Sequence, residues 1–152
     1  MKHYFYSMAN KYTENDLVNY YNLKPADRIV VPKSGLKIVQ HHTLYLGSDK
    51  YGQHWISENK IGQGVVLTRV KDFFRENPRI TRIEHHPGSI EARRTVVKRA
   101  LYDLGKPYDL ITFNCEHHVN KALKGRAHSP QVGNVLGVMA FFFVIGLLAR
   151  GK

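Results

Sequence analysis

The sequence predicts an α+β fold, a mix of adjacent short strands with helices at the edges. Two observations carry this. Between residues 29 and 85 apolar runs of strand length follow one another, separated by Gly- and Pro-containing turns. Apolar residues recur at clear helical spacing mainly later, after Ser89 and again after Asn114. The chain has no internal repeat and no low-complexity tract.

The elements follow in order. Residues 13–23 read as a short helix, with Thr13 as N-cap, a partial apolar face of Leu17, Tyr20, Tyr21 and Leu23, and Pro25 as its stop. Ile29-Val30-Val31 is a short buried strand closed by Pro32, and Lys33-Ser34-Gly35 is a turn. Residues 36–46 form the longest strand, ending at Gly47. A turn over 48–52 leads into a second run at 53–57, so the two make a hairpin. Gly62 and Gly64 open a strand over 65–70. Asp72-Phe73-Phe74 is a short helical or turn segment closed by Asn77-Pro78, and residues 80–85 form a further strand before Pro87-Gly88. The clearest helix starts at Ser89 and ends before Gly105, with Ile90, Val97, Ala100, Leu101 and Leu104 at helical spacing. A last helix of the folded part runs from about Cys115 to Leu123 and stops at Gly125.

A chain of 152 residues is the size of one domain, and 43% hydrophobic with 23% charged residues is ordinary globular composition. The charge balance is not ordinary. Lys and Arg number 23 against 12 acids, a formal charge of +11 that attracts polyanions such as nucleic acid or anionic lipid headgroups. The single cysteine excludes an intrachain disulfide and fits a reducing compartment. The first residues contain no apolar run of signal-peptide length before Lys11, so the folded part is expected in the cytoplasm.

The tail differs from what precedes it. Residues 135–149 are fifteen uncharged residues, including Phe141-Phe142-Phe143, followed by Arg150 and Lys152. As a helix this segment would span about 22 Å at ~1.5 Å per residue, short of a hydrocarbon core of ~30 Å. With Val132–Asn134 added it approaches a thin bilayer. We therefore expect residues 1–132 to form the folded domain and 133–152 a hydrophobic membrane anchor, the alternative being a core helix.

Cys115 follows Asn114, a favoured N-cap residue, which sets the thiol in the first turn of a helix where backbone N–H groups and the helix dipole stabilise a thiolate. Val119 and Ala122, four and seven positions on, place Cys115 on the inward face. A lone cysteine is more often an inert small hydrophobe. A reactive one needs an imidazole to take its proton and a polar group to orient that imidazole. Six of the nine histidines fall in adjacent pairs: His41-His42, His85-His86 and His117-His118. Only one of His41 and His42 can look into a given site from a strand, and His54 lies on the next strand of the hairpin. His41 as base with His54 as orienting partner is one feasible constellation. His85 and His86 read as exposed loop residues. No zinc-type Cys/His spacing, HExxH run, Walker loop or GxGxxG occurs, so neither a metal nor a cofactor is expected.

Asn114-Cys115-Glu116-His117-His118-Val119 resembles the N-C-E-H-F-V signature of the lecithin:retinol acyltransferase-like family, with His118 in place of Phe. His41-His42-Thr43-Leu44-Tyr45-Leu46-Gly47 is similar to that family's H-W-A-L-Y-V-G strand, with His41 at the catalytic histidine. His54 matches the family's third polar residue, a histidine, if one residue is inserted in the turn. Pro25–Ile29, Arg99–Leu110 and Gly125–Val132 extend the likeness over about residues 25–132. The resemblance implies a permuted papain-like fold of the NlpC type, with an antiparallel sheet packed on the helix that carries the cysteine and both histidines preceding the cysteine in sequence. It also implies catalysis through a thioester: Cys115 attacks an acyl ester, His41 takes and returns the proton, and His54 holds the ring. Some members end in a hydrophobic anchor.

The expected activity is acyl transfer or hydrolysis on phospholipid, as an acyltransferase or phospholipase A, with a phospholipid membrane and an acyl lipid as partners. An NlpC-type cysteine peptidase or amidase and an inactive membrane-binding module are the alternatives. Nucleic-acid binding would rest on charge alone, without an aromatic platform motif or a recognition helix, and is not expected.

Overall fold

A computed structural model describes residues 12–33 and 40–134, together with 137 and 139. The elements are α1 (Glu14–Tyr20), β1 (Arg28–Pro32), β2 (Gln40–Ser48), β3 (His54–Lys60), β4 (Gly64–Arg69), α2 (Val70–Glu76), β5 (Arg82–Glu84), α3 (Ile90–Tyr102) and α4 (Cys115–Lys124). The α+β expectation holds. The five strands form one sheet in the order β4-β3-β2-β1-β5, every neighbouring pair antiparallel.

Local chemistry sets most boundaries. Thr13 caps α1 in a reciprocal box: its hydroxyl accepts from the Asp16 N–H at 3.2 Å, and the Asp16 carboxylate accepts from the Thr13 N–H at 2.8 Å. Ser89 caps α3, Asn114 caps α4, and Gly125 ends α4 in the left-handed conformation at φ 76°. The short segment expected around Asp72 is a full helix, because Val70, Phe73 and Phe74 share an inward face.

The sheet is covered on both faces. Alternation along β2 sends Tyr45 to one side and Leu44 to the other. On the first side Tyr45, Ile29, Val31 and Ile56 meet Leu17 of α1 and Val70, Phe73 and Phe74 of α2. On the second, Leu44 and Ala26 meet Val96 and Ala100 of α3 and Val119 and Ala122 of α4. Each fully buried large side chain, such as Phe73, Ile29, Leu44 or Ile56, contributes roughly 1.5–3 kcal/mol of transfer free energy. Helix α4 thus lies across β2 and β3, at the centre of the sheet.

Residues 130–134 are helical. The predicted apolar segment 135–149 lies outside the described residues apart from 137 and 139. Among the described residues no helix is long and apolar enough to cross a membrane.

Candidate active site

The N-terminus of α4 is built around Asn114. Its side-chain carbonyl accepts from the N–H groups of Glu116 and His117, both at 3.0 Å, and its amide donates to Leu110 O at 3.1 Å. In return His117 Nδ1 accepts from the Asn114 N–H at 3.3 Å. The cap therefore fixes both the first turn of the helix and the loop leading to it.

Cys115 is the first helical residue and is only 4% exposed. Its thiol reaches Gln40 O at the start of β2, 3.8 Å away. The next residue, His41, holds its imidazole between two groups. Nε2 lies 2.9 Å from Glu58 Oε2, and the ring interacts with the Cys115 thiol. His41 Nδ1 has no hydrogen-bond partner among the described residues, which leaves one ring nitrogen free for proton transfer. Glu58 is itself buried and carries a second cation, Lys60 Nζ at 3.1 Å from Oε1.

The electrostatics follow from this arrangement. Burial by itself would depress the His41 pKa, but the contacts with Cys115 and Glu58 outweigh it and raise the value to about 9. Burial would raise the Cys115 pKa, yet the neighbouring His41 ring and its charge, the His42 N–H and the Lys33 charge bring it below that of an ordinary thiol. Glu58 is held below the usual carboxylate range in spite of its burial, mainly by His41. A low-pKa thiol beside a high-pKa imidazole favours a thiolate–imidazolium pair, a nucleophile with its proton stored next to it.

His54 lies elsewhere. It sits opposite Ser48 at the far end of the hairpin, where Nδ1 bonds the Tyr45 hydroxyl at 2.6 Å and Nε2 bonds Asn15 Oδ1 at 2.7 Å. Ser48 is seven residues along β2 from His41, about 23 Å at ~3.3 Å per residue. The structure thus brings Cys115 and His41 together, does not bring His54 to them, and sets Glu58 beside the His41 ring instead. Glu58 pairs with Thr43 across the hairpin, so it shares a face with His41 two residues away. The strand runs past residue 57, where the sequence predicts its end, to Lys60, and a carboxylate inside a strand is the signal that marks Glu58.

The remaining histidines divide. His42 is buried beside Glu116, with Nε2 4.0 Å from Oε1, and its pKa is depressed by burial and by Arg28. Glu116 in turn accepts from Ser129 Oγ at 2.5 Å and from the Gln131 N–H at 3.1 Å, which ties the segment after α4 to the site. His118 bonds Ser57 Oγ through Nε2 at 2.8 Å and has Asp103 Oδ2 3.8 Å from Nδ1. These are the residue types of a serine-hydrolase triad, but Ser57 and His118 are fully buried, so no substrate can reach them. His85 is an exposed loop residue, as expected, and its Nδ1 bonds the buried Asp27 at 2.7 Å.

The family model described as Lecithin retinol acyltransferase matches residues 21–128. No curated protein and no solved structure matches the chain.

Proposed function

The chain belongs to the lecithin retinol acyltransferase family, and from that premise we propose that it transfers or hydrolyses the acyl chain of a phospholipid through a thioester on Cys115. Family membership suggests acyltransferase- or phospholipase-type activity. The observation that carries the finer reading is the His41 imidazole held between the Cys115 thiol and the Glu58 carboxylate.

In the proposed first step the Cys115 thiolate attacks the ester carbonyl carbon. The C–O bond breaks, the alcohol of the lysophospholipid leaves with a proton from His41, and the acyl group stays on sulfur. In the second step water or another acceptor gives its proton to neutral His41 and attacks the thioester, and Cys115 leaves as thiolate. Glu58 stabilises the imidazolium that is restored here and fixes the ring through Nε2. The Asn114 side chain accepts from the N–H groups of Glu116 and His117, so the Cys115 N–H is the nearest helix-end donor for the carbonyl oxygen as it gains charge.

The order of His41 and Glu58 before Cys115, on a sheet that packs against the cysteine helix, supports a permuted papain-like arrangement of the NlpC type. The formal charge of +11 and the uncharged run 135–149 support a domain over residues 1–132 working at a lipid surface, with 133–152 as its membrane segment on the cytoplasmic side.

Intact-protein mass spectrometry after brief incubation with phospholipid vesicles tests the proposal. A fatty-acyl mass addition that is hydroxylamine-sensitive, or released fatty acid and lysolipid, is expected for the native protein and not for Cys115→Ala. Neither adduct nor product would refute it.

A further inference from the structure

We propose that the loop tip Leu110–Ile111 is a docking element that enters an anionic phospholipid surface and brings the Cys115 site down onto it. The inference deepens the acyl-lipid reading and rests on it for its purpose, though not for its test.

Leu110 is 66% exposed and Ile111 56% exposed, two consecutive aliphatic side chains turned to solvent in the loop that leads into the buried Cys115. Single exposed hydrophobes are ordinary on a protein surface, but this pair is rigidly presented. The Asp109 carboxylate accepts from the N–H of Ile111 at 3.0 Å, the N–H of Thr112 at 2.6 Å and the Thr112 hydroxyl at 2.8 Å. Asp109 and Phe113 also exchange both backbone hydrogen bonds, at 3.1 and 3.0 Å. Asn114 then clasps Leu110 O, so the same residue that caps the cysteine helix holds the tip. Insertion therefore costs little ordering entropy, because the turn is already formed.

The charge around the tip chooses the partner. Between Leu104 and Cys115 the only acid is Asp109, whose Oδ1 takes the three hydrogen bonds of the turn, and two lysines outnumber its charge at the base of the tip. Lys106 lies over the Phe113 ring at 3.6 Å, and Lys33 lies over the Tyr108 ring at 5.5 Å. Both lysines are exposed. An aliphatic tip with lysines at its base matches the interface of an anionic membrane, with the side chains among the acyl tails and the ammonium groups at headgroup level.

The test uses the full chain with Cys115→Ala, carrying Ile111→Cys or, as a second variant, Leu110→Cys, labelled with an environment-sensitive fluorophore. Tyr51→Cys, in the turn at the opposite end of β2, is the control. On vesicles of phosphatidylcholine with phosphatidylserine, the 110 and 111 probes are expected to shift to the blue and to be quenched by spin-labelled lipid, while the 51 probe stays aqueous. Probes at 110 and 111 that remain aqueous while the protein sediments with vesicles would overturn the proposal, as would equal insertion into pure phosphatidylcholine. In the protein with Cys115 intact, the double change Leu110→Asp with Ile111→Asp is expected to slow acylation from vesicles about tenfold or more, for loss of buried apolar area, and to leave acylation by a soluble short-chain ester unchanged. Equal loss on both substrates would also count against docking. Inserted probes together with a native protein that acylates from neither substrate would leave the docking intact and remove the enzymatic reading instead.

Discussion

His41 holds its proton more firmly than a free imidazole because an anion lies on either side of the ring: the Glu58 carboxylate at 2.9 Å and the Cys115 thiolate. In the proposed mechanism proton delivery to the leaving alcohol requires that imidazolium, so acylation is expected to fall as pH rises through about 9. Glu58→Gln keeps the shape and removes the charge. It is expected to move this alkaline limb to lower pH and to slow acylation about a hundredfold, within the range attributed to general acid–base contributions. His54→Ala is expected to leave the limb where it is, since His54 bonds Tyr45 and Asn15 and not His41. Measuring the pH dependence of acylation in both variants checks the assignment. A shifted limb in His54→Ala with an unmoved one in Glu58→Gln would reverse it.

At the scale of elements, the start of β4 and the loop before the active site are clamped together. Val65 N–H donates to Lys106 O and Gly105 N–H donates to Val65 O, both at 2.9 Å. Gly64 makes room for this contact. Its φ is 74°, and a Cβ there would stand 2.4 Å from Lys106 O. Gly64→Ala thus combines left-handed strain of about 1–3 kcal/mol with a clash against backbone that cannot rotate away. A lower midpoint in thermal unfolding and slower acylation are expected together, because the displaced loop leads into Asn114 and Cys115. A variant with native stability and native rate would show that the loop is not held by β4. The apolar tip at Leu110–Ile111 belongs to the same loop and is tied to Asn114 through Leu110 O.

For the whole molecule, the buried histidines and the thiol set how stability follows pH. His118 has its pKa depressed from 6.5 to about 4 by burial, so its contribution is full above pH 6.5 and is lost as pH falls toward 4. His42 is depressed in the same direction. His41 has a folded pKa raised from 6.5 to about 9, a contribution lost as pH rises toward 9, but the lowered thiol of Cys115 contributes with the opposite sign below 9, so the proton that one gains the other has given up. Stability is therefore expected to rise from pH 4 to 6.5 and to change little from there to 9, which denaturant midpoints would check. In His118→Gln the acid-side slope should shrink. An unchanged slope in that variant would mean that His118 is not the group responsible.

Much of this molecule is determined by residues close together in the sequence. Thr13, Ser89 and Asn114 announce three helix starts, Gly125 announces a stop, and the apolar runs announce the strands, because caps, turns and periodicities act over a few residues. The setting of Cys115 at a helix start is legible for the same reason, and His41 through the strand motif. The third member of the site is not. Whether His54 or Glu58 faces His41 depends on hairpin register, and that is decided by a turn at residues 49–53 and by an irregularity between Tyr45 and Gly47. Register moves every cross-strand partner at once while leaving the local pattern of each strand intact. Only the folded sheet, packed between its two apolar clusters, selects the pairing that carries His54 to the far end and Glu58 to the imidazole.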